Sequence, residues 1–127
     1  MKNGVKAGIE AVNIASKLAQ VSDYWSPKIV ATLNNHEVKV AMLKGEFTWH
    51  HHDDAEELFW VIKGKLVIHF IGHDVLLLPG ELFVVPKKTE HKPEALPEAE
   101  IVLIEPAGTL NTGNVVNEKT VKEPGRI

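Results

Sequence analysis

The chain has 127 residues, 44% of them hydrophobic, with 14 basic and 17 acidic side chains, a formal net charge of -3 and no cysteine. That size and apolar content fit one globular domain, and bases so scattered give no cationic face for nucleic acid. Without cysteine there is no disulfide framework, zinc finger or iron–sulfur cluster, and a reducing cytoplasm is the expected setting.

Met1 to Lys6 lacks the apolar run of a signal peptide, and no stretch approaches a membrane span, so no membrane partner is expected. From about Ile9 to Val21, apolar groups at Ile9, Val12, Ala15, Leu18 and Ala19 predict a short amphipathic helix within an N-terminal segment, residues 1–26. Ser26-Pro27 ends it. Strands follow at Lys28–Leu33, closed by an Asn34-Asn35 turn, and at His36–Leu43. After Gly45 the chain reads as extended from Glu46 to His52. Leu58 to Ile62 is apolar on both faces, as a strand covered on both sides would be. Lys63-Gly64-Lys65 then predicts a hairpin turn, with Leu66–Phe70 returning. Further strands are predicted at Val75–Leu78, Leu82–Val85 and Ile101–Ile104, with Pro86 to Glu90 as a loop.

About eight short strands between Gly, Pro and Asn turns predict an all-β sandwich or barrel of the jelly-roll kind over residues 27–105. Residues 106–127 carry turn formers and few large apolar groups, and are expected as an extended C-terminal tail along the surface. A tail packed over a pocket mouth or a neighbouring subunit is the alternative.

The chemistry concentrates in Trp49-His50-His51-His52-Asp53-Asp54-Ala55-Glu56-Glu57. Alternate residues of a strand share a face, so His50 and His52 point together and His51 points away, to solvent or an interface. Glu57 follows a short acidic turn that can return its carboxylate to the two imidazoles, and His91 is a fourth partner from a later apolar run. Imidazole and carboxylate together suit divalent first-row metals. His36, His69 and His73 have no carboxylate at a matching spacing and are read as structural. Asp53, Asp54 and Glu56 read as a solvated turn that adds negative potential near an entering cation.

These residues form a pattern that resembles the small single-domain cupins. Gly45, His50, His52, Glu57 and Gly64 match the first cupin motif, with one residue fewer than usual between Gly45 and His50; Gly80, Pro86 and His91 match the second. Lys88 stands where that motif has Gly, at a position strained for a side chain, and Ala95 stands where it has Asn. The resemblance implies a double-stranded β-helix holding a divalent transition metal (iron, manganese, nickel or zinc) on His50, His52, Glu57 and His91.

Phe59 and Val61 share the face of Glu57 and, with Phe47, are expected to line the pocket. Trp49, Leu58, Trp60 and Ile62 face outward as an apolar row that needs a cover; a second layer of the same domain would serve, but an isologous homodimer, common among small cupins, is favoured. Glu46 and Thr48 share strand parity with His50 if no bulge intervenes, which makes Glu46 the candidate catalytic base and Thr48 a pocket-lining residue. Four protein ligands on a six-coordinate ion leave two open positions, whereas tetrahedral zinc would be closed. Isomerase, lyase or oxygenase chemistry on a small oxygenated molecule then follows; the other reading is a binding barrel without turnover. The only arginine, Arg126, lies in the tail, so no barrel arginine clamps a phosphate or carboxylate, and the crosslinked thiol-dioxygenase type lacks its cysteine.

Overall fold

The computed structural model describes residues 10–127. The predicted helix begins outside them, at Ile9, and within them it is shorter than its periodicity suggests: α1 covers only Ile14–Leu18. Asn13 sets that start. Its backbone is extended and its side chain accepts a hydrogen bond from the Ser16 amide at 2.9 Å, an N-cap that ends the helix on this side.

Six strands follow: β1 (Lys28–Leu33), β2 (His36–Glu46), β3 (Glu57–Phe70), β4 (His73–Leu77), β5 (Leu82–Val85) and β6 (His91–Pro106). All pair antiparallel, in the order β1-β2-β6-β3-β4, with β5 also on β3. This is the all-β jelly roll expected, with fewer and longer strands. The predicted hairpin at Lys63-Gly64-Lys65 is not a turn. β3 runs through it, because β6 pairs with both halves, and the register slips twice: Ile62 is one extra residue of β3, and Leu96–Glu98 of β6 stand against Lys65 alone. Such bulges bend a strand without reversing it. Gly64 permits the bend: its φ is +82°, and a Cβ there would stand 2.1 Å from the Glu98 carbonyl oxygen. The last predicted strand, Ile101–Ile104, is likewise only the end of β6, which starts at His91 and carries Pro93 and Pro97 on its way.

Two apolar clusters result. Ala41, Leu43, Phe59, Val61, Ile101 and Leu103 belong to the inner one, and Val40 and Val102 face outward beneath Leu18 and Val21. The helix therefore supplies part of the outer cover that the sequence requires. It does not reach Trp60, Leu82 and Val84, which stay exposed. Among the described residues no helix is long and apolar enough to cross a membrane.

Candidate metal centre

His50 and His91 come together through the backbone. Each amide donates to the other's carbonyl, at 3.0 and 2.9 Å, and fixes the loop before β3 against the start of β6. Their rings are then turned by neighbours two residues back: His50 Nδ1 lies 2.8 Å from the Thr48 carbonyl, and His91 Nδ1 2.8 Å from that of Thr89. A carbonyl only accepts, so both Nδ1 atoms carry the proton and both Nε2 atoms present lone pairs. Metal-binding histidines are oriented in this way. Lys88 takes the left-handed conformation the sequence made suspect, with φ +62°, and its amide donates to the His52 carbonyl at 2.7 Å.

Glu57 opens β3 and points inward with Phe59 and Val61. Its Oε1 lies 3.4 Å from His52 Nε2 and 3.5 Å from His91 Nε2. One ligand atom from each of His50, His52, Glu57 and His91 falls within 4.8 Å of the others, and all four residues are buried. Donors bonded at about 2.1 Å to one ion stand about 3 Å apart when adjacent in an octahedron, so a small inward adjustment closes the set on a cation. The stronger sign is polar accounting. His52 Nε2, Glu57 Oε1 and His91 Nε2 are buried without any hydrogen-bond partner, a condition costly for each and removed together by one cation.

Burial, with some repulsion from His91, depresses the His50 pKa to about 4. Burial pushes the Glu57 carboxyl up, but the His52 and His91 imidazoles beside it, with Glu105, outweigh that and hold it well below the usual range. Both groups are therefore in their metal-binding forms at neutral pH. NMR of the metal-free protein should show His50 titrating near pH 4. Since the unfolded chain titrates near 6.5, the imidazole contributes roughly 3 kcal/mol of stability above pH 6.5, lost as pH falls from 6.5 to 4.

Elsewhere the placements divide. Phe47 and Phe59 line a chamber of about 30 Å³ beside His50 and Glu57, room for about one water; Val61 is fully buried in the core below. Glu46 does not face it. Alternation runs unbroken from Ala41 and Leu43 to Phe47, which turns Glu46 outward, and β2 ends at Glu46, so His50 returns to the chamber out of phase with it; Glu46 sits exposed against Lys92, which holds its carboxyl below the usual range. Thr48 accepts twice, its carbonyl from His50 Nδ1 and its hydroxyl oxygen from the Asn117 side-chain amide at 3.4 Å. His51 turns outward as expected, between Glu90 at 2.9 Å and Asp53 at 3.1 Å. His69 does have carboxylates, Asp74 and Glu94, both at 2.8 Å and both brought by neighbouring strands.

Residues that the pattern did not single out complete the chamber. Trp25 stacks on Phe47 with ring centroids 4.5 Å apart, held by its amide to Met42 and its indole N–H to Lys44. Asn111 enters from the tail, which lies across the ligand loop: the His51 amide donates to the Asn114 side chain at 2.8 Å, and the Asn114 amide to the His51 carbonyl at 3.1 Å. On the other side of His52 a wider cleft of about 370 Å³ opens between Asp53-Asp54 and the tail.

Residues 37–105 match the family model described as Cupin domain. The chain is 33% identical over 81 residues to the Bacillus subtilis protein YdbB, covering 63% of this chain and 72% of that protein. A cupin-2 domain containing protein from Shewanella frigidimarina superposes with a TM-score of 0.74 at 40% identity, over 76% of this chain and 94% of that one. The 3-hydroxyanthranilate 3,4-dioxygenase of Xenopus tropicalis is 27% identical over 90 residues; the alignment takes in 65% of this chain but only 32% of the enzyme.

Proposed function

Because the chain belongs to the cupin-domain family, we propose that it is a metal-dependent enzyme acting on a small, weakly charged oxygenated molecule, with oxygenase chemistry ahead of isomerase or lyase chemistry. The observation that carries this reading is the set of three buried, partnerless ligand atoms on His52, Glu57 and His91. A divalent transition metal held by His50, His52, Glu57 and His91 would polarise a bound carbonyl or hydroxyl and activate dioxygen. The chain's own part is to fix the imidazoles through Thr48 and Thr89, and to set apolar walls from Trp25, Phe47 and Phe59 beside the ligand atoms. Arg126 lies along β1 with Thr32, so the pocket offers no guanidinium and favours substrates without a phosphate. Oxygenase chemistry is placed first because the matched region is shared with a dioxygenase.

The test is dioxygen uptake by iron-reconstituted protein against a panel of catechols, aminophenols and hydroxy ketones. Uptake with one of these that stops on chelation and returns with iron is expected. Stoichiometric iron without turnover of any would favour the second reading, a binding barrel, which the small chamber and its lack of a free general base also support.

A cytosolic homodimer completes the proposal. Trp60, Leu82 and Val84 are 38%, 55% and 41% exposed on one outer face, and Trp60 pairs directly with Leu82. Sedimentation should give a dimer that Trp60→Lys converts to a folded monomer; a parent protein that is already monomeric rules the interface out.

A further inference from the structure

Across the ladder from Glu57 the barrel buries two more charged groups. Leu58 pairs with Ile104, so the next residue of β6, Glu105, falls opposite Glu57 on the same inward face. On the far side of β6, Glu105 pairs with Glu37 of β2, which places Lys39 diagonally from it, also inward. Lys39 and Glu105 are 2% and 1% exposed, at positions of alternation otherwise filled by Ala41, Leu43, Ile101 and Leu103. Lys39 Nζ lies 2.9 Å from Glu105 Oε1 and 3.5 Å from Glu37 Oε1. Glu105 Oε2 is buried with no hydrogen-bond partner, on the residue that the register sets directly across the ladder from Glu57. Two carboxyls set side by side in this way stay together only around a shared proton.

Removing two charges from water costs several kcal/mol that their attraction barely repays. A pair of apolar side chains would fill the same space more cheaply, so the arrangement asks for a role beyond packing. Glu57 supplies it. A carboxylate has two oxygens and can grip a cation with one or both; a partner on the second oxygen decides which. We propose that Glu105, anchored by Lys39, is a positioning residue that holds Glu57 from behind, so that Oε1 alone is offered to the metal and the remaining positions stay open for substrate. The inference rests on the metal-centre reading above and extends it to the residues that set the affinity and geometry of that centre.

The test is cobalt(II) titration of the metal-free protein, followed by calorimetry and by the d–d absorption bands, with the melting temperature of each metal-free variant beside it. Glu105→Gln keeps an acceptor for Lys39 and gives Glu57 a permanent N–H donor, so its cobalt Kd should stay within about threefold of the parent. Lys39→Met/Glu105→Leu removes the pair together; its metal-free form should melt within a few degrees of the parent, yet bind cobalt about 10–100-fold more weakly, with shifted bands as Glu57 turns. Lys39→Met/Glu105→Gln, a gentler change of similar volume, guards against a folding failure and should weaken cobalt at least about fivefold. Parental Kd and spectrum in both double variants overturn the inference alone. A parent protein that takes up no cobalt overturns the metal centre and this inference with it.

Discussion

Stripping the metal from the purified protein should lower its Tm by roughly 10–15 °C, and His52→Ala should abolish the difference between metal-loaded and stripped samples. The size follows from mass action: a ligand at a thousand times its Kd stabilises the native state by about 4 kcal/mol, and a domain of this length shifts by about 3–4 °C per kcal/mol. The direction follows from the three partnerless atoms, which are buried together whether or not a cation is present. Stripped protein holds a carboxylate and imidazole lone pairs facing one another with nothing between them, so the native state alone carries that cost. His52→Ala removes one ligand and one of the orphaned atoms at once. Its stripped form should therefore melt close to the stripped parent, while its metal affinity drops by more than about 100-fold, beyond the effect of losing an outer partner. Calorimetric scans with and without chelator, beside metal content by mass spectrometry, check both halves. Equal Tm values for loaded and stripped parent would remove the cage from the fold's energetics.

The four cage residues were legible in the sequence because their chemistry does not depend on tertiary detail: His50 and His52 alternate, Glu57 follows a short turn, and His91 closes a second motif. Glu46 was misplaced because strand parity was carried on to His50, although β2 ends at Glu46 and the chain from Phe47 to Trp49 is not strand. Glycine signals both turns and bulges, and that ambiguity made Gly64 look like a hairpin when it marks a bend in β3. Lys39 and Glu105 escaped for the opposite reason. A charge in a strand reads locally as a solvent-facing position, and only the pairing of β2, β6 and β3 turns them inward. Trp25 and Asn111 belong to segments without periodicity, so no pattern singled either residue out, although a tail over the pocket mouth was one of the two readings of residues 106–127.

Composition left the tail open between a surface run and a cover for the pocket mouth, and Gly113→Ala tests how closely it is bound to the site. A Cβ at Gly113 would stand 2.2 Å from the His51 carbonyl oxygen and 3.0 Å from His50 Cδ2, and φ there is +57°. The carbonyl it strikes is the acceptor for the Asn114 amide, so the substitution attacks the bond that ties tail to ligand loop. Backbone cannot rotate aside as a long side chain would. Either the tail lifts or the loop carrying His50 and His52 shifts, and both loosen the metal. Extraction by a chelator should quicken at least about tenfold, the equivalent of about 1.4 kcal/mol, with a loss of roughly 2–4 kcal/mol in stability. Gly108→Ala separates collision from backbone strain. Its φ is +83° but a Cβ there meets nothing within 4 Å, so it should cost only about 1–2 kcal/mol and leave extraction at the parental rate. Parental extraction from Gly113→Ala would mean that the tail can leave the ligand loop without consequence, and that the loop is held by its bonds to β6 alone.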